Sequence, residues 1–310
     1  MFFANMKIAA EQVAVLYIMI LVGVVCDKLG VFTEKTGKAC TNLLFYIITP
    51  AVIIESFLSQ EFTKESAVKL LISVGCGMLM HVVAIAINTP LFSRGDHDRN
   101  CVYKYGAIYG NVGYMTLPLT AAVLGDEGVF YCSAVVMAFN VFSFTHGVFM
   151  MDNDLKKFDP KLLILNPGII SVLIGLPFYL LSVQLPEIIH KPITFISSTQ
   201  TPVAMLVFGT FLSNTKLGDI FKNGKIFLVA LSKLVVLPAI MVLLYRLMGL
   251  SGTLLTALTI SACAPSANNT VMFSAKYSKD TGLAAQVVAT VSFISIITIP
   301  IIIATVQTIA

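Results

Sequence analysis

Ten successive stretches of about twenty residues in this chain are apolar and carry few charges, and that pattern leaves few folds open. They run approximately 8–26, 39–58, 67–92, 103–124, 128–151, 162–183, 188–212, 225–248, 253–276 and 283–307. A helix of that length matches the hydrocarbon thickness of a bilayer. Apolar residues make up 57% of the sequence and charged residues 12%, against about 25% charged in a soluble domain. The pattern predicts an all-α integral membrane protein of ten transmembrane helices. The first stretch is too long for the apolar region of a cleavable signal, carries Glu11 and has no A-x-A site after it. It reads as a span.

Two of the stretches are interrupted in the same way, one in each half. The fourth contains Gly110-Asn111-Val112-Gly113-Tyr114-Met115-Thr116-Leu117-Pro118, and the ninth Ala264-Pro265-Ser266-Ala267-Asn268-Asn269-Thr270. A helix in lipid must satisfy its own backbone, so a break is tolerated only where protein or a water-filled cavity supplies partners. Matching breaks in two halves point to the binding site of a secondary transporter.

Charge sets the expected orientation. The loops after spans one, three, five, seven and nine hold 14 basic residues, and the termini and remaining loops hold five, Lys7, Lys64, Lys69, Lys191 and Arg246. Lys and Arg accumulate on the cytoplasmic side, so both termini are expected outside, in the cell membrane of a multi-pass protein. The net charge of +4 is too small to suggest a nucleic-acid partner. The six cysteines show neither CxxC spacing nor a disulfide framework. No nucleophile–base constellation, Walker loop or metal-ligand cluster stands out, so neither an enzyme nor a cofactor is expected, and a primary pump within this chain is excluded. A channel is the closer competitor, separated from a carrier by saturable flux and countertransport.

The halves look like repeats. Thr49-Pro50-Ala51-Val52 recurs as Thr201-Pro202-Val203-Ala204 at an offset of 152, and Asp126-x-Gly128 recurs as Asp280-x-Gly282 at an offset of 154. Five spans per repeat is odd, so the second copy must be inverted. The expected organisation is residues 1–151, a short cytoplasmic linker 152–161, and residues 162–310.

At these residues a family resemblance emerges. Asn111 with Pro118-Leu119 and Gly125-Asp126 resembles the fourth span of the auxin efflux carrier family, which includes the plant auxin transporters and bacterial permeases. Asn166-Pro167 with Gly175-Leu176 is similar to that family's sixth span, and Pro265 with Phe273, Lys276 and Tyr277 to its ninth span and exit. The resemblance implies a fold akin to bile-acid symporters and sodium/proton antiporters. Spans four and nine unwind and cross there, a scaffold of spans one, two, six and seven faces a bundle of spans three to five and eight to ten, and the scaffold mediates homodimerisation. It implies elevator-type alternating access of a small organic anion, an auxin-like carboxylate or a dicarboxylate. An ion-coupled symporter or antiporter of another solute is the alternative. The long central loop of some plant members is absent, so regulation through it is not expected.

The polar residues inside the membrane are the site candidates. Asn111, Asn268 and Asn269 can cap freed backbone and also face substrate. Asn111 best matches the family's substrate-site Asn. Pro118 and Pro265 bar a continuous helix. Gly113 is expected to let the two backbones approach, with Tyr114 beside it, and Asn140 in span five can line the cavity. Lys233 lies about 12 Å beyond Lys225 along span eight. It either snorkels to the cytoplasmic face or supplies a fixed cation near the crossing, where related folds hold sodium. His81 and Glu55 are candidates for proton exchange, against a structural role for His81.

Overall fold

The computed structural model describes residues 2–152, 165–213 and 223–309. The expected linker therefore lies, apart from Asp152, outside the described residues, as do Lys216 and Lys222. Helices fall on every apolar stretch. They begin with α1 (Phe2–Lys28), then α2 (Glu34–Leu43), a π segment Leu44–Ile48, α3 (Thr49–Leu58) and α4 (Lys64–Leu91). Next come α5 (His97–Ile108), a π segment Val112–Thr116, α6 (Leu117–Phe142), a π segment Ser143–Gly147 and α7 (Val148–Met151). The second half holds α8 (Pro167–Leu180), α9 (Glu187–Ser198), α10 (Gln200–Ser213), α11 (Gly224–Leu231), a π segment Ser232–Val236 and α12 (Leu237–Leu247). It ends with α13 (Gly252–Ala262), α14 (Asn269–Lys276) and α15 (Thr281–Ile309).

Local chemistry explains where helices start. Thr63 and Ser66 cap α4 reciprocally, Ser66 N donating to Thr63 Oγ1 (3.0 Å) and Thr63 N to Ser66 Oγ (3.1 Å). Asp96, Asn166, Asn223 and Asp280 each accept a backbone N–H at the start of α5, α8, α11 and α15. Proline explains three of the π segments. Pro50, Pro118 and Pro238 each follow one by two residues. A proline inside a helix has no N–H and its ring crowds the carbonyl four residues back, and one extra residue in the turn relieves that clash.

Among the described residues, five helical runs are long and apolar enough to cross a membrane, and α8 and α13 are shorter apolar helices. The run Val112–Met151 has 40 residues, which would make about 60 Å of straight helix, twice a bilayer core. It turns back at Gly125, where φ is 66° and ψ −158°, a backbone shape that favours glycine. Many large apolar side chains point outward, among them Ile18, Leu173, Phe293 and Ile297, the reverse of a soluble protein. The densest packing sets α1 against α10, α3 against α8, and α4 against α6. The helices α11, α13 and α14 pack on α15, which also lies along α1.

Candidate functional site

Both interrupted helices break at one place, and the breaks pair with each other. The chain is extended between α5 and the Val112 π segment, and again between α13 and α14. Asn111 N donates to Pro265 O (2.7 Å) and Ala267 N to Tyr109 O (2.9 Å), an antiparallel bridge centred on Gly110 and Ser266. Ser266 Oγ also donates to Gly106 O (2.7 Å). Unwound main chain at this depth thus finds its partners in the opposite break. The close approach falls at Gly110 rather than at Gly113. A Cβ at Gly110 would lie 2.9 Å from Ala264 Cβ and 3.0 Å from Lys233 Nζ, whereas one at Gly113 would meet nothing within 4 Å. The backbones touch where they hydrogen-bond, and Gly113 lies one turn beyond, beside a cavity.

Lys233 lies under the crossing. It is fully buried, which rules out snorkelling, and Nζ donates to Ile108 O (3.2 Å). That carbonyl ends α5, where unpaired carbonyls gather partial negative charge, so a cation there is stabilised by the helix end. Its neighbour Ser232 donates to Asn88 Oδ1 (2.7 Å), which ties the same turn to α4.

A narrow cavity of about 40 Å³ opens beside the crossing. Asn111, Gly113 and Tyr114 line it from the first break, Asn268 and Asn269 from the second, and Asn140 from α6. Phe45, Thr49 and Gly168 close the far side. Among the described residues no charged side chain lines it. Asn111 Oδ1 accepts Tyr114 N (3.3 Å). Asn140 Oδ1 accepts Asn166 Nδ2 (3.4 Å), and the Asn140 amide packs so closely on Gly168 that a Cβ there would lie 2.5 Å from its nitrogen. Asn111, Tyr114 and Asn268 also wall a smaller void, about 10 Å³, bounded by Thr41, Leu44, Ala204 and Phe208. Pro118 and Pro265 are not among the lining residues. Pro118 follows the π segment at one break, and Pro265 contributes its carbonyl to the bridge.

Neither His81 nor Glu55 lines the cavity, but His81 lies just behind its wall, its ring centroid 6.0 Å from that of Tyr109 and 6.3 Å from that of Phe139. His81 Nδ1 donates to Gly77 O one turn back on its own helix (2.7 Å), and its ring stacks on Phe142 at 5.2 Å. Glu55 accepts from His190 Nε2 (3.1 Å) and Thr194 Oγ1 (3.1 Å), clamping α3 to α9. Nearer the crossing, Tyr109 OH donates to Phe142 O (3.0 Å), which the adjoining π segment exposes, and contacts His146 Nδ1 (2.8 Å). At the charged end of α5, Lys279 Nζ donates to Asp98 Oδ1 (2.5 Å) and holds that carboxyl below its usual range. The sequence reading missed Gln200, whose Nε2 donates to Gly113 O (2.8 Å). A lone Gln in an apolar stretch just before Pro202 was the available signal.

Long apolar helices with two broken ones crossing beside a polar cavity define a membrane protein of the transporter class. A family profile described as membrane transport protein matches residues 8–303. An uncharacterized transporter of Methanocaldococcus jannaschii is 24% identical over 299 residues, covering 90% of this chain and 92% of that protein. The chain belongs to the membrane transport protein family, that of the auxin efflux carriers. It is a multi-pass membrane transporter, and members of this family are transporters rather than enzymes.

Proposed function

We propose that the protein is a secondary carrier of a small organic anion, a carboxylate, bound where the two breaks cross. The observation that carries this reading is the cavity, which takes residues from both breaks and from Asn140 together. The half-helices that begin at Val112 and Asn269 start beside it, and a helix N-terminus carries about half a positive charge. Amides supply neutral donors, and no carboxylate among the described residues lines the cavity to attract a cation. Its 40 Å³ is about the room one or two waters need. An anion of several carbons therefore enters only when the walls part.

Packing supports two inverted repeats, residues 1–151 and 162–310, because helix contacts recur in matched pairs. α1 on α10 corresponds to α8 on α3, and α4 on α6 to α11 on α15. Spans one, two, six and seven then form the scaffold and the rest a bundle that moves against it. A homodimer joined through the scaffold is the assembly we favour. Lys233 supplies the fixed positive charge near the crossing that a sodium ion holds in related folds, so coupling to protons or membrane potential is favoured over sodium.

Flux into proteoliposomes tests the reading. Saturable uptake and counterflow of carboxylates are expected without sodium. Binding of cations or neutral sugars alone, with carboxylates inert, overturns the substrate class, and a strict sodium requirement at fixed pH and voltage overturns the coupling. For orientation, both termini are placed outside. An impermeant thiol reagent should label an engineered cysteine at position 3 but not one at position 157 in intact cells, and labelling at 157 would reverse the topology.

A further inference from the structure

Gly113 holds a carbonyl that its own helix cannot satisfy. In the π segment, Leu117 N–H bonds back five residues to Val112 O. The next donor in that register is residue 118, a proline with no N–H. The donors just before are committed, since Met115 N and Thr116 N both bond Asn111 O (3.1 and 3.3 Å). The bond to Gly113 O comes instead from Gln200 Nε2 at 2.8 Å. Gln200 is 3% exposed and opens α10, the helix packed most closely on α1.

We propose that Gln200 is a positioning residue of the transport cycle, a latch through which the scaffold holds the broken helix by donating the hydrogen bond that Pro118 removes. The proposal rests on the carrier reading above, in which α10 belongs to the scaffold and the first break to the moving bundle. Other hydrogen bonds between the two bodies, such as Ser56 to Ser133, Ser66 to Tyr179 and Asn140 to Asn166, join side chains of continuous helices or their caps. Gln200 instead grips a main-chain atom of the break, at a residue lining the cavity. Sliding of the bundle past α10 must release this bond and leave Gly113 O to water. The same atom thus reports both the position of the bundle and the opening of the cavity.

Hydrogen–deuterium exchange of the purified full-length protein tests the latch without knowledge of the substrate. In Q200L, exchange of the segment 109–117 should rise by about tenfold, the scale of one lost hydrogen bond, while α1 is unchanged. Q200E turns the latch into a titratable one. After correction for intrinsic exchange it should behave like Q200L at high pH, where the carboxylate cannot donate, and move toward the wild type as pH falls and the acid becomes neutral, with burial placing that crossover above the ordinary Glu value of about 4.3. Q200L combined with P118A should return toward wild-type exchange, because residue 118 regains an N–H for Gly113 O. Wild-type exchange in Q200L, or no pH dependence in Q200E, overturns the proposal. Faster exchange in Q200L from a protein that moves no anion would keep the latch and sink the carrier. Normal flux with exchange indifferent to Gln200 would sink the latch alone.

Discussion

Replacing Asn111 with Ala is expected to abolish or strongly reduce transport while the protein still folds and reaches the membrane. The bond that holds the crossing at this residue is made by its backbone N–H to Pro265 O, and alanine keeps it. What is lost is the side-chain oxygen that accepts Tyr114 N and the amide on the cavity wall. The first loss removes a capping interaction, about 1 kcal/mol, too little to unfold a domain. On the proposed carrier reading the second removes a substrate contact, and each lost hydrogen bond of about 1.4 kcal/mol costs about tenfold in binding. Uptake by proteoliposomes matched for protein content is the measurement. Unchanged rate and affinity would remove Asn111 from the site.

Gly209→Val should have the largest effect on stability. α1 and α10 meet backbone to backbone at Gly23 and Gly209. A Cβ on Gly209 would lie 2.8 Å from both Gly23 Cα and Val24 N, and one on Gly23 would lie 2.5 Å from Leu206 O. Membrane helices without large side chains between them gain dispersion contact by close approach, and a branched residue there forces them apart. Overpacking of this kind costs about 1–3 kcal/mol, and more where the obstacle is main chain that cannot rotate away. The variant should melt well below the wild type in detergent, or fail to accumulate. Gly75→Val, on a glycine with open space around its missing Cβ, serves as the control. Equal melting of Gly209→Val and wild type would refute the contact.

The parts of this architecture legible in the sequence are those that side chains write. Apolar length located the helices, and Gly, Pro and Asn located both breaks. The pairing of those breaks was not legible, because it is made by Asn111 N, Pro265 O, Ala267 N and Tyr109 O, main-chain atoms that every residue type carries. That is also why the close contact was expected at Gly113, when the hydrogen-bonded register places it at Gly110. Lys233 could be read as snorkelling because a sequence gives depth along a helix but not which neighbour's end lies beside it. The pairing of Glu55 with His190 was not legible either, because the two lie 135 residues apart. Gln200 went unread for the same reason, its partner being a carbonyl on another helix.

The main-chain bridge at the crossing also bears on how such proteins diversify. Its hydrogen bonds ask little of side-chain identity beyond a small residue at Gly110, while the cavity beside it depends on individual amides at positions 111, 140, 268 and 269. On the proposed reading, the geometry of the crossing and the selectivity of the cavity therefore rest on different atoms. If the cavity holds the cargo, four amides can be exchanged one at a time, and the cargo changed with them, without dismantling the main-chain bridge. Distant relatives are expected to keep the bridge and differ in what they carry, so a cargo assigned to one is weak guidance for the next.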